Sequence, residues 1–320
     1  MKKFLAIAAV VAVALTSCVK NEMFELNDEI GFKAVNYKNT KANIYGPYTT
    51  VSYNQNEHFG VFAFPSNNPT HAYMNNVEVE YDGTQYWKNL SKTYYWPKDD
   101  AVSLSFVCYS PYNFAPCTGD VTANLTNGVS IYDFTTTADV AKQVDLMATD
   151  LIANQKKDTN GGVVAVPFNH LLSQIKFTVA PKAIYDIQGI TIQSISFTVK
   201  SEGDYNTTVV KGWDDLKTDL FYDVVSTDYN VNCTVTNAQE VGTPVMIIPQ
   251  GQVDITVNYE IDYDGTYKEQ CDATYTHTPA GNWEKNKVYI YNLTIGLDEI
   301  LFAPEVKVWD AATELDWEVK

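Results

Sequence analysis

The sequence predicts an all-β protein of the β-sandwich type. Three observations carry that expectation. Strand-forming side chains are abundant, with 22 Tyr, 14 Phe and 6 Trp among 320 residues alongside many Val, Ile and Thr. Short runs alternate apolar and polar residues with a period of two. Tight-turn dipeptides punctuate those runs, the pattern of strands joined by hairpins. Helical periodicity is scarce, and no heptad, solenoid period or low-complexity tract is present.

The chain opens with Met1-Lys2-Lys3, then an unbroken apolar run from Phe4 to Leu15. That run is too short to cross a bilayer, which takes about 20 apolar residues, and it reads as a secretory leader spanning 1–17. It ends Leu15-Thr16-Ser17-Cys18, the lipobox pattern of bacterial lipoproteins. Small residues at Thr16 and Ser17 suit a signal peptidase, and cleavage between Ser17 and Cys18 leaves a thiol to carry lipid (a palmitate-class acyl anchor). The expectation is an outer-membrane lipoprotein that touches the membrane only through this anchor.

Next, Ile30, Phe32 and Ala34 alternate with Gly31, Lys33 and Val35, as in a strand with one buried face. Val77-Glu78-Val79-Glu80-Tyr81, Asp82-Gly83 and Thr84 to Trp87 read as a hairpin. Val102 to Val107 is a strand, and Asn127-Gly128 marks a second hairpin before Val129 to Tyr132. Asp139 to Ala148 and Phe168 to Ser173 are each expected to hold a turn or two of helix. The polar stretch 154–162 places a division of the chain within 155–180, although it reads equally well as a hairpin loop just ahead of the true division. The sandwiches are therefore drawn as 42–165 and 166–320. Beyond it, Ile175 to Val179, Ile192 to Val199 and Val288 to Ile295 are strands, and Ile255 to Tyr263 turns back at Asp264-Gly265. The last residues, Leu315-Asp316-Trp317-Glu318-Val319, alternate apolar with acidic.

Charge narrows the function. The 22 basic residues are all Lys, set against 39 acidic ones, for a net charge of −17. An acidic surface without Arg is the wrong sign for nucleic acid or anionic lipid. Four cysteines follow Cys18. In an exported protein Cys108, Cys117, Cys233 and Cys271 allow three disulfide connectivities, of which Cys108–Cys117 with Cys233–Cys271 is the local one; reduced, buried thiols are the alternative. No metal site, cofactor or catalytic motif is expected. The four His residues fall in no metal-ligand spacing, and no nucleophile elbow or phosphate loop is present. His170, flanked by apolar residues, is read as a hydrogen-bonded structural histidine. Asp99-Asp100 and Asp214-Asp215 are read as exposed turns. Aromatic density also suggests glycan stacking, with Trp96 and Tyr112 as candidate contacts, against core packing as the plainer explanation.

Several stretches in order resemble the fimbrillin family of Bacteroides-type bacteria, the Mfa-like subunits of type V pili. They are Leu15 to Cys18, Ile30 to Ala34 followed by Thr40-Lys41-Ala42, Tyr95 to Lys98, Leu104 to Tyr112, Asp145-Leu146-Met147, Val166 to Phe177, Val245 to Gln250 and Asn286 to Ile295. The resemblance implies two transthyretin-like (Greek-key) β-sandwich domains. It implies a lipidated segment and removable first strand at 18–41, cut between Lys41 and Ala42 by a trypsin-like maturation protease. It implies polymerisation with other fimbrial subunits by strand exchange, with a donor strand in 305–320 anchored by Leu315, Trp317 and Val319. The family often carries Arg where Lys41 stands, so cleavage here needs a Lys-tolerant enzyme. The alternative is a surface lipoprotein or tip adhesin that binds glycan or another host or bacterial surface ligand.

Overall fold

The computed structural model describes residues 28–36, 58–83, 86–184, 187–206, 212–276, 281–297 and 300–309. Its first half contains β1 (Gly31–Asn36), β2 (Phe59–Pro65), β3 (Met74–Tyr81), β4 (Trp87–Lys88), β5 (Leu104–Ser110), β6 (Thr118–Asn124), β7 (Gly128–Thr135), β8 (Met147–Ala148), β9 (Ile152–Gln155) and β10 (Val163–His170). The second contains β11 (Ser173–Pro181), β12 (Gly189–Tyr205), β13 (Trp213–Asp223), β14 (Tyr229–Val231), β15 (Gln239–Ile247), β16 (Ile255–Asp262), β17 (Lys268–Tyr275), β18 (Lys287–Ile295) and β19 (Ile300–Val308).

The first eight-stranded sheet runs β2-β3-β4-β1-β10-β8-β5-β9, and β2 also pairs with β5. That last pairing closes the ladder on itself. Phe32, Phe59, Trp87, Phe106 and Phe168 fill the enclosed core. A closed ladder has few free edges, which otherwise invite pairing with other chains. The second half stacks a four-stranded sheet, β15-β11-β18-β19, on a seven-stranded one, β17-β16-β12-β7-β6, with β13 and β14 also on β12. Its core carries Ile175, Phe177 and Val179 from β11 against Ile190, Ile192, Ile195 and Phe197 from β12. The fold is all-β and sandwich-type, as the alternating pattern predicts.

The hairpins form where the turn dipeptides stand. β3 pairs antiparallel with β4, β6 with β7 and β16 with β17. Gly265 has φ +81, a left-handed value that an L side chain resists. There the Asp264 carboxylate accepts from the Thr266 and Tyr267 amides at 2.8 and 2.6 Å. These bonds hold its pKa below the ordinary carboxylate value.

Several expectations need correction. Asp139 to Ala148 is a single 3-10 turn, Val140–Lys142, capped by the Asp139 carboxylate, with strand at Met147. Phe168 to Ser173 is not helical: Phe168 to His170 end β10 and Ser173 starts β11. The passage from the first sheet to the next therefore falls at Leu171-Leu172, within 155–180. The polar stretch 154–162 holds the end of β9 and its connection to β10, closed by the turn Thr159–Gly162. Nor do the halves divide cleanly. The β6–β7 hairpin leaves the first half and joins β12 through Tyr205↔Ile131 and Glu202↔Thr135. A third core cluster, including Tyr109, Ile131, Phe134, Leu171 and Ile248, fills the seam.

All four cysteines described are free thiols, so neither local disulfide forms. Cys108 packs in the closed first core and Cys117 in the seam, which explains why nearness in sequence does not pair them. Burial raises both thiols above the ordinary cysteine pKa.

Candidate assembly site

The first strand is the most consequential placement in the molecule. β1 lies inside the closed ladder, parallel to β10 from Gly31↔Val163 to Asn36↔Phe168. Its other edge meets Trp87 of β4 opposite Phe32. Ahead of the strand, Glu29 bridges Tyr95. There the Ile30 amide donates to Tyr94 O and the Trp96 amide to Asp28 O, both at 2.8 Å. Lys157 pairs with the Asp28 carboxylate. The neighbouring backbone thus reads nine residues, 28–36.

The side chains follow the two-residue period. Ile30, Phe32 and Ala34 are 2, 1 and 0% exposed, while Lys33 between them is half-buried. The Phe32 ring stands edge-on to Phe59 at 6.0 Å and to Phe106 at 5.6 Å. Burying Ile30 and Phe32 stabilises the fold by about 1.5–3 kcal/mol each. Withdrawal of β1 would leave an apolar trough and two rows of unpaired backbone groups.

The last strand is placed differently. Among the described residues β19 pairs with β18 alone, from Lys287↔Val308 to Ile295↔Ile300. Leu301, Val306 and Val308 are exposed, and Pro304 sits at mid-strand, a residue that central strands exclude. Residues 305–308 of the segment expected to donate a strand thus belong to their own sheet. At its end Trp309 is buried. Its amide donates to Asn286 O at 3.0 Å, and its ring stacks on His170 at 4.2 Å and 10°.

His170 closes β10, and its Nδ1 lies 2.6 Å from Asp145 Oδ1. It is 4% exposed, consistent with a structural histidine. Asp145 and Trp309 are its partners, and neither stands near it in sequence.

Trp96 does not serve the role given to it as a glycan contact. It is buried in the first core, and its Nε1 donates to Gly162 O at 3.0 Å. Tyr112 is half-buried, its ring 6.3 Å from that of Tyr109. Asp99 lies in an exposed turn, accepting from the Ala101 amide at 2.9 Å. Asp214-Asp215 is not a turn: both residues lie in β13, Asp214 half-buried and Asp215 exposed, the latter pairing with Lys217 at 3.2 Å. Among the described residues no group of three or more His, Cys, Asp or Glu is placed to hold a metal, and no helix is long and apolar enough to cross a membrane. Ser17, Cys18, Lys41, Ala42, Leu315, Trp317 and Val319 lie outside the described residues.

The family model described as fimbrillin-like, Mfa_like_1, matches residues 40–309. The chain belongs to the fimbrillin-like family. Among solved structures, this fimbrillin-like chain is similar to a fimbrial protein of Bacteroides vulgatus, at 18% identity and a TM-score of 0.64, covering 88% of this chain and 99% of that one. It is also similar to a candidate cell adhesion protein of Bacteroides uniformis, at 16% identity and a TM-score of 0.52, covering 89% and 99%. At these identities the likeness is one of fold. No curated protein matches the chain.

Proposed function

We propose that this fimbrillin-like chain is a structural subunit of a surface fimbria, supporting adhesion, and that it polymerises by exchange of its first strand. The observation that carries this reading is the seat of β1. The strand is an inner member of a closed ladder, and Lys41 follows it five residues after Asn36, in the stretch that leads to β2. A cut between Lys41 and Ala42 would sever β1 from the rest of the fold. The loss of covalent tether would let β1 be displaced, and an extended segment of another subunit could then satisfy the same ladder.

The donor in this reading is the segment after Trp309. It holds eleven residues, Asp310 to Lys320, against the nine read at the seat of β1. Leu315, Trp317 and Val319 have the spacing of Ile30, Phe32 and Ala34. In either direction of insertion the central Trp317 takes the place of Phe32. Export through the leader 1–17, lipidation at Cys18 and trimming by a trypsin-like protease complete the proposed route to the outer face of the outer membrane. In this reading the two sandwiches, drawn from the sequence as 42–165 and 166–320, meet at Leu171-Leu172 between β10 and β11.

Limited trypsin treatment of the folded chain, followed by electrophoresis without boiling, tests the reading. Trimmed chain should form ladders, and chain ending at Asp310 should not. Trimmed material that stays monomeric, or ladders that survive loss of 311–320, would sink it.

A further inference from the structure

A cavity of about 350 Å³ opens at the seam between the two halves. The β6–β7 turn, the β8–β9 connection, the ends of β10 and β12 and the Lys285-Asn286 corner line it. Trp309, the residue that leads into 310–320, stands against two of the lining residues. Its ring stacks on His170, and its amide donates to Asn286 O. Residues 310–320 therefore start at the rim of the cavity.

The corner carries the charge. Lys285 is half-buried. Its ammonium donates to Tyr205 Oη at 3.0 Å and sits 5.2 Å from the centre of that ring. An ammonium has three donors, so two remain. It has no carboxylate partner among the described residues, whereas Lys88, Lys142, Lys200, Lys217 and Lys268 each have one. Asp150 also lines the cavity and is already engaged within the fold. The corner is itself held in place, because the Asn286 amide donates to Leu172 O at 3.0 Å. Register supplies the missing anion. Lys287 faces Val308 and Asn286 bonds to Trp309, so one more step sets Asp310 opposite Lys285. Residues so opposed have Cβ atoms roughly 4.5–5.5 Å apart, well within the reach of a lysine side chain.

We infer that the seam cavity is the resting seat of the chain's own residues 310–315. The Asp310 carboxylate pairs with Lys285, and Leu315 lies on Leu151, a lining residue that is 38% exposed. Six extended residues span at most about 20 Å, enough to lay the segment across the cavity. The same segment of a second copy carries the same groups but lacks the tether. Attachment through Trp309 gives the chain's own segment an effective concentration of roughly millimolar or more. While seated, the segment is withheld from other subunits. That consequence rests on the strand-exchange reading, whereas the contact itself does not.

Amide hydrogen exchange of the untrimmed chain, in which β1 fills its own seat, tests the inference. The amides of 311–315 should exchange about tenfold or more slowly than in a free peptide of residues 310–320, the ratio one charge-assisted hydrogen bond supplies. Lys285→Met, which keeps the aliphatic stem, should return them to the rate of the peptide while the amides of β12 and β18 keep theirs. Asp310→Asn, which keeps the shape and removes the charge, should do the same. Peptide-like rates in the unsubstituted chain, or protection that survives either substitution, would overturn the inference. So would protection that disappears on dilution, which would put the segment in the cavity of a second copy. Ladder formation after trimming is read separately. Its failure with protection intact would remove the assembly reading and leave this one standing.

Discussion

The first and last described strands of the molecule occupy opposite situations. β1 is flanked on both sides and buries Ile30, Phe32 and Ala34 almost completely. Among the described residues β19 is bonded on one side only, and it turns Leu301, Val306 and Val308 to solvent. An edge strand that leaves takes one ladder with it, and the rest of its sheet keeps its pairings. An inner strand that leaves breaks a ring of ladders and uncovers the core. The molecule therefore places the strand upstream of Lys41 where its loss has the greatest consequence. It places the strand that leads to the C-terminal segment where its own detachment costs least.

That contrast is measurable. Phe32→Ala should destabilise the untrimmed chain by about 3–5 kcal/mol, the usual cost of emptying an aromatic site in a core. The check is a shift of the urea unfolding midpoint at unchanged slope. If Phe32→Ala costs no more than a substitution on the outer face of β19, then β1 is not seated as an inner strand and the contrast fails.

How much of this was legible beforehand depends on what each feature needs. Strands such as Ile175 to Val179 and Val288 to Ile295 are written in the two-residue period, and hairpins at Asp264-Gly265 and Asn127-Gly128 in local turn chemistry. The buried face of β1 is equally local, because Ile30, Phe32 and Ala34 declare it. The partner sheet of a strand is not local. The β6–β7 hairpin alternates like any other, and only the folded chain shows that it pairs with β12. Phe168, Leu171 and Leu172 have helical spacing, yet they lie across the turn between two strands. Trp96 sits among polar and aromatic neighbours that suggest a surface, and its burial depends on Phe106 and Gly162. Nothing in sequence joins Asp145, His170 and Trp309.

The trio joins the two regions. β10 is the parallel neighbour of β1 and ends at His170, and Trp309 anchors the end of β19 on that histidine. Trp309→Ala should cost about 2–4 kcal/mol, somewhat less than a fully enclosed tryptophan, and should increase amide exchange in β19 more than in β1. Exchange that rises equally in both strands would mean that the two regions do not behave as separate units. A double-mutant cycle of His170→Gln with Asp145→Ala should return a coupling of about 1–2 kcal/mol. A coupling near zero would make the 2.6 Å contact energetically idle.

The smallest effect is expected on the outer face of β19. Leu301 is 46% exposed and stands opposite Thr294 at the solvent side of the edge. Leu301→Lys removes little buried surface, so the unfolding midpoint should move by no more than about 0.5 kcal/mol. Lysine on an edge strand also discourages pairing with other chains. The variant therefore separates two ways in which subunits could meet. Strand exchange at the seat of β1 uses 310–320 and the first core, and leaves the β19 edge untouched, so trimmed Leu301→Lys should form ladders as readily as the unsubstituted chain. Ladders lost in this variant, with stability retained, would move the subunit contact from the seat of β1 to the edge of β19.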